Sequence, residues 1–266
     1  MMHPDTPVSA VMTRSLVTVG PDATLAEAAS VLCARPFRHL PVLHGGELVG
    51  ILSDRDLLEA SGGREAGGAR RVREIMRERV QTANPGTSVA QAGEFLAEEK
   101  IGSLVVRAGR RIEGIVTRTD LLRAFREWCR ATRGVPWFRA LVRDHMTPDP
   151  RTIELDAPLA EALRICRELR IRRLPVLREG RVYGILSDRD LRRAIAYALE
   201  KGEPAAAVRV AAFASPTAMV IAAASSLTAA VFTLVGNEVG ALPVLEATAL
   251  VGVISQADIL RAHAGL

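Results

Sequence analysis

The sequence predicts an α/β (α+β) fold made of four β-α-β-β-α repeats that pair into two modules. Two observations predict it. Segments 12–56, 76–120, 146–190 and 214–258 match one another without a gap, and each copy changes between helical and strand periodicity at the same positions. A repeat of this size leaves one face of its sheet uncovered, so we expect the repeats to associate in pairs.

Each copy predicts the same elements in the same order. In the first copy a strand near 17–19 precedes a helix over 25–35, which has Ala and Leu at helical spacing. Two strands follow at 39–43 and 48–52, joined by a four-residue hairpin turn, and a closing helix begins at Asp56. The four turn sequences are polar or small, as hairpin turns require: HGGE, AGRR, REGR and EATA.

Two marks identify the repeats most clearly. The first is an apolar strand, which reads HLPVL, SLVVR, RLPVL and ALPVL in the four copies. The second is a pattern of glycine, two apolar residues, Ser or Thr, two further residues and Asp. It occupies 50–56, 114–120, 184–190 and 252–258.

Composition excludes several classes of protein. With 48% hydrophobic and 24% charged residues among 266, the chain is neither wholly disordered nor a collagen-like fibre. Aromatic residues, at 4%, are too few for stacking platforms that bind single-stranded nucleic acid. The formal charge of +5 comes mainly from arginine and favours anionic partners such as phosphates.

Three features of the sequence bear on its cellular compartment and on membrane insertion. The cysteines Cys33, Cys129 and Cys166 show no CxxC spacing and are expected to be packing residues in a reduced, cytoplasmic protein. The N-terminus shows no signal peptide. Residues 210–237 carry no charge and are long enough to span a bilayer, but Pro216 and the repeat pattern favour a soluble segment.

The repeats resemble the CBS domain, named after cystathionine β-synthase, in which an LPV strand and a closing Gly-h-h-Ser/Thr-x-x-Asp recur. In that family two copies form a Bateman module, and modules bind adenine nucleotides or related adenosyl ligands between the paired motifs. The resemblance implies a first module at 1–125, with repeats at about 8–60 and 72–125. A connector at 126–140 and a second module at 141–266, with repeats at about 141–197 and 208–262, complete the chain.

The chemistry of the closing motif can be argued from the residues alone. A carboxylate at a helix start, such as Asp56, can accept both ribose hydroxyls in charge-assisted hydrogen bonds. Ser53 stands where a phosphate would meet the free N–H groups of the helix terminus. The same pattern is also a helix-capping arrangement that needs no ligand, and both interpretations stay open.

The resemblance further implies which residues grip the adenine. They lie near the first strand and just before the LPV strand, and copy four lacks most of their polar groups. They are Thr13, Thr18, Phe37 and His39 in copy one, Thr82, Ile101 and Ser103 in copy two, Thr147, Thr152, Ile171 and Arg173 in copy three, and Ala214, Ser215, Val220, Val239 and Ala241 in copy four.

By the same resemblance, each pocket is completed by the closing motif of the partner copy. The preferred site joins copy one to Thr117, Thr119 and Asp120. The other completing residues are Ser255 and Asp258 for copy three, Ser53, Arg55 and Asp56 for copy two, and Ser187, Arg189 and Asp190 for copy four.

Basic residues near these motifs have two interpretations. Arg55 and Arg189 either clamp a di- or triphosphate or pair with Asp54 and Asp188 on the surface. A second basic group precedes the LPV strands and either binds an anion or forms a solvated face. This group is Arg38, His39, Arg172 and Arg173.

The function expected from the sequence is a non-enzymatic sensor with no metal or required cofactor. It binds AMP, ADP, ATP or another adenosyl compound, as a homodimer or an intramolecular disc of repeats, and passes the ligand state to a protein partner. Two other classes remain open: a nucleic-acid-binding protein, because of arginines such as those in 107–111, and a scaffold with empty sites. Phe232 and Val235 are expected to form a protein-facing surface, with burial inside the chain as the alternative.

Overall fold

The computed structural model is an α/β fold in two units, Met1–Ala131 and Thr132–Leu266. The boundary between the two units lies inside the predicted connector, 126–140. The last helix of the first unit ends at Ala131. The module limits and the connector's role as a pivot stay predictions. The structure describes residues 3–34, 38–53, 56–57, 60, 70–131, 140–169, 171–187, 189–191, 193–194, 197, 204, 206–216 and 219–264.

The first unit contains repeats one and two. Short 3-10 turns at Val8–Ala10 and Val72–Glu74 open the two repeats. The described elements of repeat one are α1 (Leu25–Ala34), β1 (His39–His44) and β2 (Glu47–Ser53). Those of repeat two are β3 (Thr82–Ala83), α2 (Val89–Glu98), β4 (Ser103–Ala108), β5 (Arg111–Thr117) and α3 (Arg118–Ala131).

The second unit contains repeats three and four in the same order. Repeat three has α4 (Val142–His145), β6 (Thr147–Pro148), β7 (Ile153–Glu154), α5 (Leu159–Glu168), β8 (Arg173–Arg178) and β9 (Arg181–Ser187). Repeat four opens with a 3-10 turn at Val210–Ala212. It continues with β10 (Ser215–Pro216), β11 (Ile221–Ala222), α6 (Leu227–Gly236), β12 (Ala241–Glu246), β13 (Ala249–Ser255) and α7 (Gln256–Ala264).

Side-chain capping explains where the helices α1, α2 and α6 begin. Before α1, the Thr24 N–H and hydroxyl both donate to Glu27 at 2.8 and 2.9 Å, and these two bonds lower the pKa of Glu27. Ser88 and Gln91 form the same reciprocal pair before α2. Ser226 accepts the N–H of Ala229 before α6.

The hairpin turns are shorter than predicted. His44 pairs with Glu47, so the turn between β1 and β2 has only two residues, Gly45 and Gly46. The prediction of a four-residue turn is therefore wrong. Both glycines have positive φ, at 58° and 84°, the combination that favours tight hairpins because it matches strand twist. The predicted boundaries were short by one residue because the polar ends of the turn still pair as strand residues.

The two repeats of each unit exchange their opening segments. In the second unit β6 of repeat three pairs antiparallel with β13 of repeat four, and β10 of repeat four pairs with β9 of repeat three. In the first unit the same exchange is made by the bridges Thr13–Ile115 and Ile51–Arg77. This reciprocal exchange confirms the pairing of repeats, and it brings each opening segment to the end of the other repeat's hairpin.

The charge-free stretch 210–237 is not one helix. It contains a 3-10 turn, two short strands and the ten-residue helix α6. Within the described part of the chain, no helix has the length and apolar character needed to cross a bilayer.

The expectation of a protein-facing surface on α6 is wrong for Val235. Val235 is 7% exposed and belongs to the buried core, because α6 packs on β12 and α7. Phe232 is partly buried. The alternative interpretation, burial inside the chain's own fold, therefore holds for Val235.

Candidate functional site

In all four closing motifs the Ser or Thr N–H and hydroxyl donate to the Asp carboxylate, and in repeats one to three the Asp N–H returns a bond to the hydroxyl. At the start of α3, the N–H and hydroxyl of Thr117 donate to Oδ2 of Asp120 at 2.9 and 2.7 Å, and the Asp120 N–H faces the Thr117 hydroxyl at 3.4 Å. The four hydroxyl-to-Oδ2 distances lie between 2.5 and 2.7 Å. The helix begins two residues before the carboxylate, not at it as predicted, because the hydroxyl residue is the N-cap.

The cap uses one carboxylate oxygen and leaves the other, Oδ1, for a second partner. In repeat one, Arg77 donates from Nε to Oδ1 of Asp56 at 3.2 Å. In repeat four, Arg261 donates to Oδ1 of Asp258. Two of the four carboxylates are thus fully occupied by protein groups.

The other two carboxylates keep Oδ1 available. The nearest cation to Asp120 is Nη1 of Arg123, and its 3.9 Å distance is too long for a hydrogen bond. Among the described residues, none donates to Oδ1 of Asp190. Asp120 and Asp190 are therefore the carboxylates able to accept hydrogen bonds from a ligand.

The exchange of opening segments assembles the two halves of the preferred site. The N–H of Thr13 donates to the Ile115 carbonyl at 2.9 Å, and the Ile115 N–H donates to the Thr13 carbonyl at 3.0 Å. Thr13 thus lies two residues along the strand from Thr117, the N-cap of α3. Of the residues that the sequence joined in this site, the structure places Thr13 on the strand next to the one that ends at Thr117.

Equivalent contacts place the same position in the other repeats. Thr147 lies beside Val253, two residues before Ser255, and Ser215 lies beside Ile185. The equivalent residue of repeat two is Arg77, beside Ile51. Sequence reasoning missed Arg77, although the ungapped repeat aligns it with Thr13 and so contained the signal.

His39 and Arg173 lie where the two repeats of a unit meet. A Cβ added to Gly102 would stand 2.7 Å from Cε1 of His39, so the imidazole lies directly over this glycine. The guanidinium of Arg173 lies over Gly240 in the same way. The basic residues before the first LPV strand of each unit therefore occupy space that the glycines of the partner repeats provide.

Ser103, the copy-two equivalent of His39, is a buried polar residue with an unused group. It is 5% exposed, and its hydroxyl has no hydrogen-bond partner in the structure. Buried hydroxyl groups normally have a partner, so this one marks a place where a ligand or water can bind.

The remaining predicted residues are spread over the surface and the junctions. Thr18, Arg38 and Arg189 are exposed, whereas Thr82, Ile101, Thr119, Thr152, Ile171, Arg172 and Ser187 are partly buried. Phe37 and Arg55, with Asp54 and Asp188, lie outside the described residues. Among described residues no three His, Cys, Asp or Glu side chains cluster as a metal site would require.

The comparisons with known proteins agree with this architecture. The CBS domain model matches residues 8–63, 72–127, 142–197 and 210–265. Since these matches cover most of the sequence, the chain belongs to the CBS domain family. Its two units are two Bateman modules of two repeats each.

Individual relatives resemble the whole fold or one module. Protein MJ1225 of Methanocaldococcus jannaschii, proposed as an archaeal homologue of γ-AMPK, has a solved structure with a TM-score of 0.83 to this chain. The two are 23% identical, with 97% of this chain and 99% of that one covered. An uncharacterised 17.7 kDa protein of Acidianus ambivalens is 31% identical, over 53% of this chain and 84% of its own. The CBS domain-containing protein YhcV of Bacillus subtilis is 32% identical, over 43% and 81%.

Proposed function

We propose that the protein is a sensor that binds an adenosine-containing ligand in its first module and passes the bound state to a partner protein. The single observation that carries this proposal is that Oδ1 of Asp120 accepts no hydrogen bond from a described residue, in the motif that follows the strand bridged to Thr13. AMP, ADP, ATP and other adenosyl compounds share the ribose that such a carboxylate can recognise. Catalysis by the chain itself is not part of the proposal.

The geometry at Asp120 suits a ribose with a phosphate attached. Its Oδ2 is fixed by Thr117, so Oδ1 is held in one direction and loses little freedom when a hydroxyl binds it. Charge-assisted hydrogen bonds of this kind are about twice as strong as neutral ones. The positive end of α3, a helix of 14 residues, lies where an anionic group would follow.

Signalling would follow from differential affinity. A ligand can shift a conformational equilibrium only by the difference in its affinity for the two states. Because the site joins an opening segment of repeat one to a hairpin of repeat two, a bound ligand stabilises their reciprocal exchange. A partner that contacts either repeat would then sense the ligand.

The test is binding of adenosine, AMP, ADP, ATP and S-adenosylmethionine to the purified full chain, by thermal shift and calorimetry. We expect at least one of them to raise the melting temperature. At a ligand concentration 100 times the Kd, binding adds about 2.7 kcal/mol to the free energy of unfolding. Asp120→Asn keeps an amide oxygen for the cap but removes the charge, so we expect Kd to rise by about 100-fold.

Asp258→Asn is the matched control, because it makes the same change in a motif whose Oδ1 is already occupied by Arg261. Its ligand affinity is expected to equal that of the wild type. Equal losses in both variants would contradict a site at Asp120. If none of the five compounds binds, the closing motifs act as helix caps alone and the proposal is wrong.

A further inference from the structure

Arg77 takes the position of a ligand at the second carboxylate of the first module. We propose that Arg77 closes the Asp56 cleft to neutral nucleosides and admits only ligands whose phosphate can take over its guanidinium. This cleft lies where the end of β2 meets the opening segment of repeat two. This inference rests on the proposed function, since it concerns recognition of the same class of ligand.

The backbone holds Arg77 in place. Its N–H and carbonyl form two hydrogen bonds of 3.0 Å with Ile51, in the antiparallel bridge that exchanges the repeats. This bridge ends two residues before Ser53. The guanidinium therefore starts from a fixed point beside the carboxylate that it contacts.

The pairing uses the last free acceptor of Asp56. Oδ2 accepts the N–H and the hydroxyl of Ser53 at 2.7 and 2.5 Å, and Oδ1 accepts Nε of Arg77 at 3.2 Å. The Asp56 side chain is 7% exposed, so water screens the pair weakly on the carboxylate side, while Arg77 is 57% exposed and can swing outward. The contact is thus strong enough to compete with a ligand and mobile enough to open.

The equivalent cleft shows what the arginine changes. At Asp120 the aligned residue is Thr13, whose short neutral side chain cannot form an ion pair with the carboxylate. A neutral nucleoside at Asp120 has no hydrogen-bonded arginine to displace, because Arg123 stays 3.9 Å from Oδ1. At Asp56 the same nucleoside must separate an ion pair and leave Arg77 without its counter-ion, whereas a nucleotide brings a phosphate that Arg77 can bind bidentately.

The experiment measures adenosine and AMP affinities by calorimetry on the full chain carrying Asp120→Asn and Asp190→Asn, so that neither of the two carboxylates with an available Oδ1 contributes to the binding measured at the Asp56 cleft. Adding Arg77→Thr reproduces the residue of repeat one. We expect it to strengthen adenosine binding by at least 10-fold and to reduce the preference for AMP over adenosine by at least 10-fold. Arg73→Thr, which removes an arginine of equal 57% exposure that pairs with Asp22, is the control and should change neither value.

The outcomes separate this inference from the proposed function. If the wild type binds at Asp120 but Arg77→Thr leaves the AMP preference unchanged, gating by Arg77 is wrong and the sensor proposal stands. If Asp120→Asn has no effect on the wild type but Arg77→Thr creates adenosine binding, gating stands and the assignment to Asp120 is wrong. Absence of binding in every variant overturns both.

Discussion

Gly114→Ala is expected to destabilise the first module more than any other glycine-to-alanine change discussed for it. A Cβ at this position would stand 2.7 Å from the Thr13 carbonyl oxygen and 2.7 Å from Sδ of Met12. The methionine can move, but the carbonyl is part of the bridge to Ile115 and cannot move without breaking it. Overpacking of this kind costs about 1–3 kcal/mol, and the strained bridge adds to it.

Thermal unfolding followed by circular dichroism measures the effect. We expect the melting temperature to fall by roughly 5–10 °C, the shift that about 3 kcal/mol produces in a protein of this size. Displacement of Thr13 should weaken ligand binding at Asp120 in the same variant, because the two halves of the site separate.

Gly86→Ala supplies the control, since a Cβ there would have no atom within 4 Å and the residue is exposed. Equal melting temperatures for Gly114→Ala and Gly86→Ala would show that the opening segment does not lie against β5 as described.

The repeat pattern was enough to predict most of the fold. The helix over 25–35 and the two following strands lie within one or two residues of their predicted limits, because periodicity and turn residues act locally. The exchange of opening segments was not readable from the sequence pattern itself. Strands of two residues, such as β6 and β10, carry no periodicity, and their partners lie about 30 to 110 residues away.

The sequence predicted the residues of the site and the loss of polar groups in copy four, but not which carboxylates keep Oδ1 available. A Ser/Thr-x-x-Asp motif looks the same in all repeats, whereas the occupancy of Oδ1 depends on a residue from elsewhere. For Asp56 that residue is Arg77, contributed by the other repeat, and for Asp258 it is Arg261 on the next turn of the helix. Recognition of a free carboxylate therefore required the three-dimensional contacts.

The apolar positions of repeat four show a second limit of sequence reasoning. Phe232 and Val235 stand where the sibling helices carry polar residues such as Arg164 and Arg167. An apolar residue at such a helix position predicts that the side chain is buried. It does not predict whether the side chain is buried against another protein or inside the chain's own fold. The core around α6 supplies the cover for Val235.

Val235→Glu is consequently expected to disrupt the second module instead of blocking a partner. At 7% exposure the new carboxylate would lie in the apolar core of the second module, to which Leu234 and Val231 of the same helix also belong. An unpaired buried charge costs several kcal/mol, about 3 to 5 by comparison with broken buried ion pairs. Hydrogen exchange should show loss of protection in α6 and β12.

Arg167→Glu is the matched control, because Arg167 occupies the aligned position on α5 of the same module and is exposed. This variant should keep wild-type exchange rates in α5 and β8, since a charge is already solvated at that position. Loss of protection in Val235→Glu but not in Arg167→Glu would show that burial of the side chain, and not its position along the helix, causes the disruption. A Val235→Glu protein with wild-type protection in α6 would mean that Val235 faces solvent, and would restore the idea of a protein-facing surface on this helix.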